Sequence, residues 1–357
     1  MQYALTASYT GRQRLGNALQ RAWLSRGWAA CLLWPVSKVY GLAIRLRRLL
    51  YRSRLLGSTR VEAPVLIVGN VIAGGGGKTP LVMAIARHFQ SRGTRVGVLS
   101  RGYGRTGRGS RQVLAETPIS ESGDEAALIF RTTGAPVFIA SKRSEAAVAL
   151  MAAYPATELL ICDDGLQHYA LARDIEIAVF DNRGLGNGWL LPAGPLREPW
   201  PERHRDGVDL VLHTGGTQAF EGYSASRQLA VHAVAADGSK IPLACLRAVP
   251  VTALAAIANP EAFFAMLRSA GLTISQTIGL PDHYDFVGYE MPAGGGDTVL
   301  CTEKDAVKLF GQPSMADVRL LAVPLQFTPE PAFFTALDAL VAPLLSQLPS
   351  SYGHKTA

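Results

Sequence analysis

From about residue 61 onward, unbroken apolar runs alternate with amphipathic ones. The runs at 64–68, 95–99, 135–140, 158–162, 175–180 and 209–213 are short and rich in Val, Ile, Leu and Ala. Such runs fit strands buried on both faces. Between them, 79–91, 124–133 and 144–154 carry apolar residues at helical spacing. Strand and helix in alternation predict an α/β fold with a mostly parallel sheet flanked by helices. Gly215-Gly216-Thr217 interrupts the pattern. Beyond it a second, smaller α/β unit is expected, with helices at 260–270 and 304–310 and a strand at 298–301; a C-terminal helix is expected at 331–345. The expected organisation is an arm over 1–60, a first domain over 61–215, a second over 216–345 and a tail over 346–357.

The arm has a different pattern. Val39, Leu42, Ala43, Leu46, Leu49 and Leu50 recur at helical spacing, with Lys38, Arg45, Arg48 and Arg52 roughly opposite. Trp23, Trp28 and Trp34 add large apolar groups, three of the five tryptophans in the chain. Charge sharpens the picture. Residues 1–60 hold eleven Lys and Arg and no Asp or Glu, so against a total of +7 the rest of the chain carries −4. A basic face, an apolar face and tryptophans predict a helix lying in a membrane interface. A basic arm bound to nucleic acid is not expected. An ordinary amphipathic helix packed on the protein is the structural alternative. The uncharged stretch at 27–37 contains Pro35 and falls short of the roughly 20 residues of a span. It also lacks an A-x-A-like cleavage site, so it does not read as a signal peptide. Four scattered cysteines form no CxxC pair, which predicts neither a zinc site nor a disulfide framework and fits a reducing compartment.

The chemistry-bearing signal begins at "LIVGNVIAGGGGKTPL". Gly74, Gly75, Gly76 and Gly77 precede Lys78 and Thr79, after an apolar strand and before a helix. That context is what a phosphate-binding loop requires. Its backbone N–H groups would face phosphate oxygens. Lys78 would reach the β- and γ-phosphates, and the Thr79 hydroxyl would bind Mg²⁺. Ile72 stands where the usual first glycine would be. "ELLICDDGLQHY" ends an apolar strand in Asp163 and Asp164, the place where a carboxylate holds Mg²⁺ beside such a loop. The loops "LSRGYGR" and "GNGWLLPAGPLREP" supply Arg101, Arg197 and Glu198, and arginines suit phosphate. Asp124 opens a helix, where it is also a common N-cap. His283 lies in "PDHYDF".

Taken in order, "GNVIAGGGGKTP", "LSRGYGR", "GDEA", "DDGLQHY", "GNGWLLPAGPLREP", "PDHYDF" and "TEKDAVKL" resemble the tetraacyldisaccharide 4′-kinases of Gram-negative bacteria. The likeness runs from about residue 15 to 340, and the basic, tryptophan-bearing arm is similar too. It implies a two-domain P-loop kinase that moves the γ-phosphoryl of ATP to the 4′-hydroxyl of a tetraacylated glucosamine disaccharide 1-phosphate. The product would be lipid IVA, and the work would be done at the cytoplasmic face of the inner membrane. The cofactors implied are ATP and Mg²⁺; the partners are the lipid substrate and the membrane surface, with no obligate protein partner evident. By the same resemblance, Lys78 and Thr79 are the Walker A residues. Asp163 and Asp164 are the Walker B pair. Asp124 is the base at the acceptor hydroxyl, with His283 paired to it. Arg101, Arg143 and Arg197 are further catalytic positions, and Glu198 a further position grouped with the metal.

A membrane-associated P-loop NTPase acting as a switch or scaffold is the alternative, as is a structural protein with a vestigial loop. "TEKD" has Lys and Asp adjacent and fails the spacing of a guanine-reading motif. A direct Asp124–His283 contact requires the second domain to fold over the first.

Overall fold

The computed structural model describes residues 22–348 except 75, 201–207, 217, 293–296, 311 and 316. Residues 1–21 of the expected arm, Gly75 of the loop, and 349–357 of the expected tail lie outside the described residues.

A first helix, α1 (Trp28–Arg52), precedes the body. Then follow β1 (Val65–Gly69), α2 (Lys78–Gln90), β2 (Val96–Ser100), β3 (Arg111–Val113), α3 (Ile119–Ser122), α4 (Asp124–Thr133), β4 (Val137–Ile139), α5 (Arg143–Ala153), β5 (Leu159–Asp163), β6 (Ile175–Phe180), β7 (Leu210–His213) and β8 (Tyr223–Leu229). The second part runs β9 (His232–Val234), β10 (Lys240–Pro242), β11 (Val251–Ala255), α6 (Pro260–Ser269), β12 (Ile274–Gly279), β13 (Thr298–Thr302), α7 (Glu303–Leu309) and β14 (Arg319–Val323). It closes with β15 (Leu325–Pro329) and α8 (Pro331–Ser346).

Nine strands form one sheet in the order β15-β8-β7-β6-β1-β5-β2-β4-β3. The interior from β8 to β4 is parallel, with antiparallel strands at both edges. Every residue of β1, β2, β5 and β6 is buried, because the pleat sends alternate side chains to two covered faces. Leu66 and Val68 pack with α2, α4 and α8; Val65 and Ile67 pack with α5 on the other face. The α/β class with a mostly parallel sheet is thus the observed fold. Chain order jumps around β1, which lies between β5 and β6. Ligand sites in such sheets open at the carboxyl ends of strands flanking that jump.

Six strands form the second sheet, β10-β9-β14-β13-β11-β12. Sheet membership cuts across the organisation expected from sequence. Residues 216–345 were expected to form one unit, but β8, β15 and α8 belong to the first sheet, and the second sheet is inserted between β8 and β15. The physical reason is the apolar stripe of α8. Phe333, Leu337 and Val341 are fully buried in the same core as β1 and α2, and His88 of α2 meets Asp338 at 2.7 Å and stacks on Phe334 at 4.2 Å.

Helix α1 packs on the protein by its small and polar residues, not by its apolar face. Ala30, Ser37 and Gly41 are its buried residues; the Ser37 hydroxyl donates to the Leu190 carbonyl at 2.8 Å, and Trp34 packs on Trp189. The apolar face points away from the protein: Trp28, Leu32, Val39, Leu42, Leu46 and Leu49 are all more than half exposed. A helix packed by its apolar face would show the reverse. It is also the described helix long and apolar enough to cross a membrane by length and composition.

Phe333→Ala should destabilise the first domain by about 3–5 kcal/mol, measured by denaturant unfolding. A loss below about 1 kcal/mol would mean that α8 contributes little to the first core.

Candidate functional site

The strand–loop–helix at residues 65–90 places the loop at the carboxyl end of β1. Gly74 and Gly77 have φ of +64° and +103°, a region open to glycine and strained for other residues. Lys78 opens α2, and its Nζ lies 3.3 Å from Asp164 Oδ1. The Thr79 hydroxyl lies 3.5 Å from Asp163 Oδ2. Neighbouring strand ends hold the loop. Asp181 accepts from Gly76 N–H at 3.2 Å, and Arg183 donates to the Gly74 carbonyl at 2.7 Å.

Asp163 is buried, and its Oδ1 has no hydrogen-bond partner among the described residues. Burial raises its pKa, with the charge of Glu125 adding and that of Lys78 opposing. A buried carboxylate oxygen left idle beside a threonine hydroxyl fits Mg²⁺. No cluster of three or more His, Cys, Asp or Glu poised for a metal occurs among the described residues. Asp164 differs from its neighbour. Burial would raise its pKa, but Lys78 and Arg197 outweigh burial and lower it. Arg197 reaches its two oxygens at 3.1 and 3.4 Å. Of the two aspartates, Asp163 has the free oxygen.

Two expected site residues are placed otherwise. Arg143 is 2% exposed, and its guanidinium donates to the carbonyls of Ala140 and Asp163. Its donors go to backbone, so it shapes the end of β5 and does not present itself to a ligand. Glu198 was expected with the metal. Instead one oxygen pairs with Arg48 of α1 and the other accepts from the Tyr169 hydroxyl at 2.9 Å. A guanidinium and a phenol already satisfy this carboxylate. Arg101, by contrast, is exposed, and with Tyr103, Arg105 and Ser141 it lines a recess of about 240 Å³.

The structure brings Asp124 and His283 together. Asp124 begins α4 against the first sheet; His283 follows β12 of the second. His283 Nδ1 lies 3.1 and 3.0 Å from the two Asp124 oxygens. His283 has φ of +62° and Asp164 of +52°, two of the four positive-φ non-glycine residues described, and such strain concentrates at functional sites. Lys308 of α7 contacts Asp124 Oδ2 at 2.7 Å, and Lys304 lies 3.9 Å from the same atom. Burial alone would raise the Asp124 pKa; the His283 hydrogen bond and the charges of Lys304 and His283 more than reverse this, holding the carboxyl well below its ordinary value. Lys304 also lies 4.0 Å from Glu125, whose charge acts on Asp163. The pair is therefore electrostatically joined to the loop. Tyr103 packs its ring 4.7 Å from that of His283 and links the recess to the pair.

Lys304, Lys308 and Tyr103 were missed as individual site residues. Two lysines four apart in "TEKDAVKL" fall on one helix face, so that signal was available. Nothing in the sequence placed that face against Asp124.

Comparison with known proteins identifies the family. The family profile described as tetraacyldisaccharide-1-P 4′-kinase matches residues 29–342. A tetraacyldisaccharide 4′-kinase of Polaromonas naphthalenivorans (strain CJ2) is 66% identical over 95% of this chain and 99% of its own. One from Polaromonas sp. (strain JS666 / ATCC BAA-500) is 64% identical over 94% of this chain and 100% of its own. Among solved structures, the "apo" form of LpxK from Aquifex aeolicus in complex with ATP is similar, with a TM-score of 0.76, 28% identity, and coverage of 89% of this chain and 99% of that one. The chain belongs to the tetraacyldisaccharide-1-P 4′-kinase family.

Proposed function

We propose that the chain moves the γ-phosphoryl of ATP to the 4′-hydroxyl of a tetraacylated glucosamine disaccharide 1-phosphate, giving lipid IVA. The family supplies the reaction. The observation that supports its location is the Asp124–His283 contact, made across 159 positions and across the two sheets.

In this reading the loop amides and Lys78 receive the β- and γ-phosphates. Thr79 and Asp163 hold Mg²⁺, which would neutralise charge on the phosphate oxygens. Arg197 keeps Asp164 in place beside Lys78. Exposed Arg101 meets an anionic group of the substrates. The acceptor hydroxyl loses its proton to the Asp124–His283 pair, with Lys304 and Lys308 keeping the carboxylate ionised. Phosphoryl transfer asks the protein mainly for position and positive charge. A switch or scaffold would have no use for an acid–base pair buried between two sheets.

The acceptor carries four acyl chains, so the site must reach a membrane. The outward apolar face of α1 would lie in the inner membrane's cytoplasmic interface, with arginines of the same helix near anionic headgroups.

The direct test supplies ATP, Mg²⁺ and the disaccharide 1-phosphate and follows the second phosphate. Lys78→Ala should nearly abolish transfer in a folded protein, and activity within a few-fold of wild type would remove the phosphate-loop assignment. Asp124→Asn should cut kcat by roughly 10²–10⁴-fold with ATP binding intact, and His283→Ala should cost less. If they act as a unit, the double variant loses much less than the product of the two; fully multiplicative losses would count against a pair.

The outward face of α1 can be altered without touching its packing. Replacing Leu42, Leu46 and Leu49 by Ser should release the protein from anionic vesicles and leave ATP affinity unchanged. Sedimentation equal to wild type would place attachment elsewhere.

Lys308→Met should cost about 3 kcal/mol of stability at neutral pH, as expected when a buried charge loses its partner. The native Asp124 pKa lies below its unfolded value of about 3.8, so this stabilisation is present above that value. It is lost as pH falls through the lowered native pKa. The gap between wild type and variant should therefore shrink on acidification, and a gap that widens would show that Asp124 is not the partner that matters.

A further inference from the structure

Against the phosphate-binding loop lies a half-buried cation that the chemistry above does not use. Arg227 sits on β8, opposite Phe327 of β15, with its guanidinium 5.9 Å from that ring. Its Nη2 lies close to the loop: a methyl group on Gly77 would come within 2.5 Å of it, and one on Gly76 within 3.8 Å. Nε and Nη2 are both shut off from solvent, and neither has a hydrogen-bond partner among the described residues. Burial pulls the Arg227 pKa down, and the charge of Asp181 opposes that. Asp181 is already engaged, however, by the Arg183 guanidinium and by Gly76 N–H.

A guanidinium keeps its charge in proteins and has no acceptor of its own. Two of its nitrogens, Nε and Nη2, are shut off from water with idle donors, which is costly to fold. An anion at this spot would remove that cost, and the neighbours define its class. Gly76 and Gly77 belong to the loop whose amides suit phosphate, and Lys78 follows directly. Guanidinium suits phosphate better than a point charge does, through paired N–H donors. We infer that Arg227 is a further phosphate-binding residue of the nucleotide site, acting from the connector between the sheets. The inference rests on the ATP reading given above.

The position of Arg227 carries a second consequence. The chain enters the second sheet from β8 and returns through β15, and these two strands pair with each other. A phosphate held by both the loop and Arg227 ties that connector to the nucleotide. His283, Lys304 and Lys308 lie beyond the same connector, and they already contact Asp124 in this structure.

The test uses the full chain with Arg227→Met and Arg227→Lys. Titration calorimetry with ATP, ADP and adenosine is run beside melting of the nucleotide-free protein. Loss of a charged hydrogen bond predicts that Arg227→Met weakens ATP and ADP by roughly tenfold or more, while adenosine stays within about twofold. Arg227→Lys should retain part of the phosphate affinity. Without nucleotide, Arg227→Met should melt no lower than wild type, because two idle donors shut off from water have been removed. ATP affinity within about twofold of wild type would overturn the inference. So would equal losses for ATP and adenosine with a lower melting temperature, which would make Arg227 a prop for the loop. A wild-type chain that binds no ATP would instead overturn the nucleotide reading itself.

Discussion

One buried carboxylate governs how the two halves of this protein meet. Asp124 is 3% exposed, at the first turn of a helix that belongs to the first sheet. Its partners His283, Lys304 and Lys308 all come from the second. Removed from water with no partner, such a charge would be prohibitively costly. The second unit therefore delivers its cations to this point. Apolar packing of similar volume would hold two sheets together at least as well. Retaining charge at the junction makes sense where the charge has chemistry to do.

The phosphate loop is governed by the complementary constraint. It offers backbone donors and therefore has few side chains with which to hold itself. Its support comes from the ends of neighbouring strands: Asp181 and Arg183 after β6, and Thr214 after β7, whose hydroxyl donates to the Gly76 carbonyl at 3.4 Å. All these groups lie at carboxyl ends of parallel strands, where the order of the sheet leaves a crevice beside β1. The topology thus explains why residues distant in sequence converge there.

Legibility from sequence followed the range of each interaction. β1, β5 and β6 were readable because burial on both faces forces a continuous apolar run. The edge and connector strands β8 and β15 were not. Their burial alternates or is partial, and which sheet a strand joins is decided by partners far away in the chain. The same limit separates Lys78, Thr79, Asp163 and Asp164 from Glu198. The first four lie in local strand–loop contexts whose chemistry is self-contained. The contact of Glu198 with Arg48 was not legible, because Arg48 lies 150 residues upstream on a helix expected to face lipid. The periodicity of the arm shows an apolar and a basic face, but not that Arg48 of the basic face meets Glu198.

That opposite face joins α1 to the phosphate loop. The Tyr40 hydroxyl of α1 donates to the Arg197 carbonyl at 3.0 Å. Arg48 donates to the Tyr169 hydroxyl at 2.8 Å and pairs with Glu198, the residue after Arg197. Arg197 in turn grips Asp164, which contacts Lys78. Every link is a direct contact, and the chain of contacts ends at the phosphate loop. A helix with apolar residues outward and this network inward cannot shift without moving the segment that carries Arg197. The two faces of one helix thus answer separate demands: the outer suits a lipid acceptor, and the inner fixes the arginine beside the phosphate-binding lysine. For an acceptor whose sugar must sit at the loop while its acyl chains stay in the membrane, a rigid link between those two places is the simplest solution to the geometry.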